Sequence, residues 1–179
     1  MVSIKATTNQ NLIDFYEHYP RVAGNWDIYA NTSLSDDVKQ QIYPRLREKL
    51  AGKSARGQVS MLLNLVQTGL SYATDQEQFG CERSLFADES LFYPSCDCED
   101  RSILFSIMVR DLIGLDVVLL QSPGHLFTAV RLDDAAEGHY IDIDGHRYTV
   151  CDPTYIGAPV GLAMPESVQS GIKVFRIGE

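Results

Sequence analysis

Three residues at regular intervals along the chain have the types that nucleophilic catalysis requires. Cys98, His125 and Asp152 follow one another at spacings of 27 residues. A thiol nucleophile needs a base within hydrogen-bond reach, and the base needs a third group that fixes its tautomer. Cysteine, histidine and aspartate in this order can fill those roles. The spacing leaves room for a helix, a strand and a hairpin to bring the three side chains to one end of a sheet.

A second cysteine two positions earlier, in the run CDCED, allows other interpretations. Cys96, Cys98 and a histidine could form a zinc site, but C-x-C is shorter than the usual C-x₂₋₄-C spacing of such sites. A disulfide between the two cysteines would close a strained ring. We therefore interpret them as separate reduced thiols with Cys98 as the nucleophile, and we expect no metal ion and no cofactor.

The hydrophobic pattern predicts the elements that position these residues. A helical period begins at Cys98 and stops at Gly114, a C-cap candidate. Its apolar positions are Ile103, Leu104, Ile107, Met108 and Leu112. The unpaired N–H groups and the positive dipole end at the start of such a helix favour a thiolate. After the turn SPG, His125 begins the strand HLFTAVRL, and Asp152 ends another strand just before a proline.

The rest of the chain predicts an α+β fold, with helices first and antiparallel strands afterwards. DVVLLQ and IKVFRI are further strands, and Asp144-Gly145 lies between two alternating runs as a hairpin signal. Three helices are predicted before residue 73, at about 11–20, 33–52 and 54–72, with a kink or break at Pro44. Their predicted buried positions are Leu12, Phe15, Tyr16, Tyr19, Val38, Ile42, Leu46, Leu50, Val59, Leu62, Leu63, Val66 and Leu70. Residues 73–97 show neither period and predict an ordered loop held down by its aromatic rings.

The residues that carry the candidate chemistry resemble those of a known superfamily. The run CDCEDRS, then GH at the start of a strand, then DPTY after a hairpin, resembles the transglutaminase-like cysteine hydrolases and acyltransferases. The resemblance covers about residues 55–165. It implies a papain-like α+β core in which Cys98 is the nucleophile, His125 the base and Asp152 the orienting acid. Residues 1–53 are similar to an accessory helical layer of uncharacterised bacterial members, which are often parts of longer proteins, so we expect one domain over 1–179 with its core at 54–179.

Acidic residues crowd the predicted nucleophile. We interpret Asp97, Glu99 and Asp100 as first-turn acids that point away from the thiol, with Arg101 pairing one of them. In one calcium-dependent protease group of the superfamily, acids that flank the nucleophile bind calcium, and Asp97 and Glu99 look similar. Two acids fall well short of the 6–8 oxygens that calcium prefers, so the helix interpretation is favoured.

The function that these residues favour is hydrolysis of a peptide or amide bond through a thioester. The backbone N–H of Cys98 and the side chain of Gln78 are the predicted oxyanion donors. Acyl transfer to an amine is one alternative, and a binding module without turnover is another. Hydrolysis is preferred because it is the commoner activity among the bacterial relatives that the resemblance suggests. The expected partner is a peptide or protein substrate.

Composition excludes several other classes of partner. The 179 residues carry a net charge of −9, which argues against nucleic acid and anionic membranes. No apolar run is long enough to span a bilayer, and the N-terminal residues lack the apolar core of a signal peptide. The compartment is therefore left open. Cys81 and Cys151 are predicted to be inert and buried, and His18, His139 and His146 are predicted to lie on the surface.

Overall fold

A computed structural model describes residues 6–21, 24–132, 134, 137–168 and 171–178. The helices are α1 (Gln10–Glu17), α2 (Trp26–Asn31), α3 (Asp36–Leu50), α4 (Ala55–Gly69), α5 (Asp75–Phe79), α6 (Ala87–Phe92) and α7 (Cys98–Ile113). The strands are β1 (Ser71–Tyr72), β2 (Ser95–Cys96), β3 (Val117–Ser122), β4 (His125–Arg131), β5 (Tyr140–Ile143), β6 (His146–Cys151) and β7 (Lys173–Arg176). One 3₁₀ turn covers Pro165–Val168. None of these helices combines the length and the apolar character needed to cross a membrane.

The larger sheet is antiparallel and has the strand order β5-β6-β4-β3-β7. Strands β5 and β6 are joined by Asp144 and Gly145, whose φ angles are 55° and 78°. Positive φ at both positions is typical of the type I′ turn that an Asp-Gly pair favours. Strands β3 and β4 form a second hairpin through Gly124. The α+β class and the strands predicted from the sequence are confirmed.

Helix α7 lies at the centre of the main core. It contacts β3 and β4 on the sheet, and α2, α3, α4 and α6 around its other sides. The fully buried side chains along it include Ile103, Phe105, Ile107 and Val109. Burying each such side chain stabilises the fold by about 1.5–3 kcal/mol relative to leaving it exposed. The helix ends at Gly114, which adopts a left-handed conformation, so the predicted start at Cys98 and stop at Gly114 are confirmed.

The opposite face of the sheet is covered by the chain that follows β6. Ala163 packs there against a cluster on the strands that consists of Val118, Leu120, Phe127, Ala129 and Val150. The covering segment is tied to the sheet at Gly161, which accepts from the His139 N–H and donates to the Val150 carbonyl, both at 2.7 Å. A Cβ on Gly138 would lie 2.7 Å from the Gly161 Cα, so this approach requires glycine. The segment thereby brings residue 164 back to the end of β6.

A small parallel sheet joins the two helices nearest the candidate residues. Strand β1 follows the end of α4, and β2 precedes the start of α7. The two strands pair in parallel, with Tyr72 opposite Cys96. The first residue of α7 is therefore placed by the end of α4 as well as by the sheet.

Three predictions about the helical half are wrong in detail. Phe15 is 60% exposed, and Ile13 lies in the core beside Tyr16 instead. Helix α3 continues through Pro44 without the predicted break, because the buried side chains on either side of the proline hold the helix in place, while the alternative of a kink stays a prediction. Residues 73–97 contain α5, α6 and β2 rather than only a loop. Helices of five or six residues are too short to show a period.

Candidate active site

His125 is held at the start of β4 by the ring of Phe127, two residues further on, and by Asp152, which directly follows the neighbouring strand β6. Its Nε2 lies 3.0 Å from Oδ2 of Asp152, which directly follows β6. Strands β4 and β6 pair in antiparallel register through Thr128 and Cys151, so the two candidate residues lie on neighbouring strands as predicted. The imidazole also stacks on the ring of Phe127, with the ring centroids 5.7 Å apart. The orientation of the ring is thus fixed from two directions.

Asp152 is completely buried and all of its acceptor positions point to donors. Oδ1 accepts from the backbone N–H of Thr154 at 2.9 Å and of Tyr155 at 3.1 Å. Oδ2 accepts from the Met164 N–H at 3.2 Å as well as from His125. Burial by itself would raise the pKa of Asp152, but the bond from His125 and these backbone donors outweigh it and lower the pKa. The carboxylate is therefore ionised at neutral pH, which favours the His125 tautomer with hydrogen on Nε2 and a basic Nδ1.

Cys98 is the first residue of α7 and lies beside the start of β4. Ser102, one turn along the helix, donates to the Leu126 carbonyl at 3.0 Å and fixes this contact. The Cys98 thiol donates to Oε2 of Glu99 at 3.2 Å. Burial and then the charge of Glu99 raise the pKa of the Cys98 thiol, while a backbone hydrogen bond from Leu126 lowers it. Among the described residues, this thiol therefore bonds to Glu99 and to the Leu126 backbone, and not to His125.

The interpretation of the neighbouring acids as pointing away from the thiol is wrong for Glu99 and Asp97. Glu99 accepts a hydrogen bond from the thiol, and an Asp97 oxygen, as buried as Glu99, lies within 4.8 Å of the sulfur. Burial, followed by the charges of Asp100 and Glu99, raises the pKa of Asp97 to about 10. Arg101 pairs with none of these acids in the described part of the chain. Its guanidinium donates to the Leu70 carbonyl at 2.8 Å and lies 5.4 Å from the centre of the Tyr72 ring.

Asp100 has a structural role at the same helix start. Its carboxylate accepts from the Leu85 N–H at 2.7 Å and from the Asp97 N–H at 3.3 Å. It is fully buried, and burial raises its pKa well above the ordinary value. These bonds tie the chain before α6 to the first turn of α7.

Three overlapping groups of side chains could share a cation. In each group the potential ligand atoms lie within 4.8 Å of one another. The groups are Asp97–Cys98–Glu99, Asp75–Asp97–Asp100 and Asp75–Glu82–Glu99. None of them contains Cys96 or a histidine, so the described residues do not assemble the zinc site considered from the sequence.

Gln78, the predicted oxyanion donor, has an unusual environment. Both polar atoms of its amide are buried and have no hydrogen-bond partner among the described residues. Its helix, α5, lies close to the start of α7, because the carboxylate of Asp75 is within 4.8 Å of that of Asp97. The turn after α5 is fixed by the Arg83 N–H, which donates to Asp75 at 2.5 Å. A buried amide donor without a partner can serve a developing oxyanion.

The other cysteines differ from Cys98 in their surroundings. Cys96 is buried, and burial followed by the charge of Asp100 raises its pKa to about 12. Cys151 is buried as predicted, but Cys81 is exposed, contrary to the prediction. His18, His139 and His146 are exposed as predicted.

Sequence reasoning missed two residues beside the site. Tyr72 is half exposed and pairs with Cys96 just before α7, and burial followed by the charge of Cys98 raises its pKa to about 12. Gln67 lies on α4 and binds the chain around Asp152. The sequence carried one signal for Gln67, since it is a polar residue at a position in line with the apolar stripe of Leu63 and Val66.

The geometry joins a histidine–aspartate pair on the sheet with a cysteine at a buried helix start and a group of acids around it. No protein-family model matches the chain, and a search of curated proteins finds no significant match. The side chains of the site are thus the basis for assigning its chemistry.

Proposed function

We propose that this chain is a cysteine hydrolase that cleaves a peptide or amide bond with a papain-like, transglutaminase-like catalytic core. The observation that carries the proposal is the bond from Nε2 of His125 to the fully buried Asp152, at 3.0 Å. The pair lies where the start of β4 meets the first turn of α7, which bears the Cys98 thiol. A partly buried thiol on a helix start that packs against the strand of an oriented imidazole supports the roles of nucleophile and base.

In the proposed reaction, Nδ1 of His125 takes the proton from the Cys98 thiol, and the thiolate attacks the substrate carbonyl carbon. The backbone N–H of Cys98 and the buried amide of Gln78 stabilise the oxyanion. The carbon–nitrogen bond then breaks, the departing amine takes the proton from His125, and a thioester remains. Water attacks the thioester with His125 again as base, which releases the acid and restores the thiol.

The hydrogen bond between Cys98 and Glu99 defines the first step more closely. The Cys98 sulfur lies 3.2 Å from Oε2 of Glu99 and donates its hydrogen to that oxygen. The S–H group must therefore turn from Glu99 to His125 before the imidazole can deprotonate it. Rotation about a single side-chain bond achieves this. Glu99 therefore favours the protonated form of the nucleophile.

Digestion of a peptide library under reducing conditions, read by mass spectrometry, tests the proposal. We expect cleavage by the wild-type protein and by Cys81→Ala, which removes the exposed thiol. Cys98→Ala and His125→Ala should not cleave. A library supplemented with a primary amine distinguishes transfer from hydrolysis, since transfer adds the mass of the amine to the product. Cleavage by Cys98→Ala, or no cleavage by the wild type, would contradict the proposal.

A specific observation favours a second candidate, a binding module on the same fold. Burial and Glu99 raise the pKa of the Cys98 thiol, which is the opposite of what an activated nucleophile needs. In this alternative the wild-type protein retains library peptides without cutting them, and Cys98→Ala retains the same peptides equally well.

A further inference from the structure

Gln67 occupies a position in the core that would ordinarily hold an apolar residue. It lies in the last turns of α4 beside Val66, and it is only 1% exposed. Burying an amide costs free energy unless its polar atoms are hydrogen-bonded. Glutamine at this position therefore requires hydrogen-bond partners that offset the free-energy cost of burying its amide.

Every partner of the Gln67 amide belongs to the seven residues that begin at Asp152. Nε2 lies 3.0 Å from the Asp152 carbonyl oxygen, 2.9 Å from that of Tyr155 and 3.1 Å from that of Ala158. Oε1 accepts from the Gly157 N–H at 3.3 Å. Since an amide nitrogen has two hydrogens, at least one of them is shared between carbonyl oxygens. One side chain thus closes the segment 152–158 at its start, its middle and its end.

The same segment holds the carboxylate of Asp152. The N–H groups of Thr154 and Tyr155, within the part that Gln67 closes, donate to Oδ1. The carboxylate in turn accepts from Nε2 of His125. A change at Gln67 would therefore shift the backbone donors directly, the carboxylate through those donors, and the imidazole through the carboxylate.

We propose that Gln67 is a positioning residue that fixes the tautomer of His125 through the segment 152–158. The role of this tautomer in turnover rests on the proposed function, but its dependence on Gln67 does not. The hydrogen bonds of Gln67 to described residues go to the backbone of this segment and not to His125 or Cys98, so we expect it to act through the backbone that it holds. An apolar residue of the same size would remove the bonds to three carbonyl groups and one N–H of this segment, of which the Tyr155 carbonyl would keep the bond from the Ala158 N–H.

The variant Gln67→Met tests the proposal, because methionine has nearly the same volume and cannot form these bonds. Gln58→Met is the matched control. Gln58 lies on the same helix and also donates to a carbonyl, that of Leu50 at 3.1 Å, away from Asp152. The ¹⁵N shifts of the His125 ring report its tautomer directly. We expect hydrogen on Nε2 in the wild type and in Gln58→Met, and a mixture of tautomers in Gln67→Met. An unchanged tautomer in a folded Gln67→Met protein would overturn the proposal.

A measurement on the wild type covers the case in which Gln67→Met does not fold. The side-chain amide hydrogens of Gln67 and the Gly157 N–H should exchange at least about 100-fold more slowly than the side-chain amide hydrogens of Gln58, which is part-buried. Equal exchange of the two side-chain amides would mean that Gln67 does not hold the segment, and would also overturn the proposal.

Turnover separates this proposal from the proposed function. If peptide cleavage is found, Gln67→Met should lower kcat by up to about 100-fold, as a misplaced catalytic group does, with KM little changed. Gln58→Met should leave both kcat and KM unchanged. A tautomer change without any cleavage by the wild type would retain the role of Gln67 and refute the hydrolase. Cleavage with an unchanged tautomer would do the reverse.

Discussion

The two sides of the site are built in opposite ways. On the sheet side, Asp152 receives four hydrogen bonds, and the surrounding bonds lower its pKa despite complete burial. On the helix side, Oδ1 of Asp97 and both amide atoms of Gln78 are buried without a partner in the described residues, and burial raises the pKa of Asp97. Buried polar groups are normally satisfied, as on the sheet side. The difference teaches that the Asp152 carboxylate is satisfied within the protein, although the nearby Thr149 and Thr154 hydroxyls are buried without a partner among the described residues. We expect the unpaired groups of Asp97 and Gln78 at the helix start to serve the substrate.

The largest expected effect comes from breaking the complete side. Asp152→Asn keeps an acceptor for the Thr154 and Tyr155 N–H groups, but its NH₂ group faces Nε2 of His125 and favours the other tautomer. We expect kcat for peptide cleavage to fall by about 10³–10⁴-fold with the fold retained, as for an orienting acid in a triad. Circular dichroism and kinetics of the purified variant check this. Near-native turnover would reduce Asp152 to a turn residue.

A smaller effect is expected from the unsatisfied side at Gln78. Gln78→Ala removes a proposed oxyanion donor and should lower kcat by about 10²–10³-fold. Stability should change little, because the amide makes no hydrogen bond with the described residues. Gln76→Ala, on the exposed side of the same short helix, is the control and should match the wild type in both measurements. Equal kcat values for the two variants would show that Gln78 only packs.

A still smaller effect is expected on the reactivity of the Cys98 thiol when Glu99 is replaced. Glu99 raises the pKa of Cys98, so Glu99→Gln should lower that pKa and increase the thiolate fraction at neutral pH. The rate of Cys98 alkylation by iodoacetamide should rise by up to about tenfold, which corresponds to one pKa unit. Peptide mapping identifies the labelled residue, and the exposed Cys81 provides an internal reference. Glu82→Gln, an exposed acid nearby, should leave the rate unchanged. A slower reaction in Glu99→Gln would show that Glu99 promotes ionisation instead.

The smallest expected effect is on the free energy of unfolding, whose change with pH should have opposite signs for an acid on the helix side and for Asp152 on the sheet side. Burial raises the pKa of Asp75 to about 6, so its contribution to stability is full below the unfolded pKa and is lost as the pH rises through 6. Asp75→Asn should therefore raise the free energy of unfolding at pH 7 by about 1–2 kcal/mol, with the gain vanishing near pH 4. Asp152 has a lowered pKa, so its contribution is present above the unfolded pKa and is lost in acid.

Urea unfolding at the two pH values measures this contrast. Asp152→Asn should be less stable than the wild type at pH 7, with the difference shrinking in acid. Asp14→Asn, at an exposed position on α1, should match the wild type at both pH values. The same sign for Asp75→Asn and Asp152→Asn would remove the distinction between the two sides.

The sequence predicted the elements that carry strong local signals. The period from Cys98 to Gly114 and the turn at Asp144-Gly145 each reflect contacts within a few residues, and both are confirmed. The pairing of His125 with Asp152 was also predicted, because a strand start and a strand end on neighbouring antiparallel strands meet at one edge.

What the sequence did not reveal depends on contacts between distant segments. Arg101 was expected to pair with an acid beside it, but it lies at the Leu70 carbonyl, 31 positions away in the chain. The four bonds of Gln67 span 85 to 91 positions. No local period encodes such bonds. Glu99 was misjudged because a first-turn acid can face either the solvent or the interior, and only the packing of α5 and α7 decides which.

The parallel pairing of β1 with β2 has a mechanical consequence. Helix α4 grips the segment after β6 through Gln67, and a few residues later its continuation pairs with the strand that leads into Cys98. The Asp152 segment and the start of the Cys98 helix are thus both attached to α4. We therefore expect small displacements of α4 to carry the nucleophile and the carboxylate in the same direction, which would keep their separation constant without a covalent cross-link.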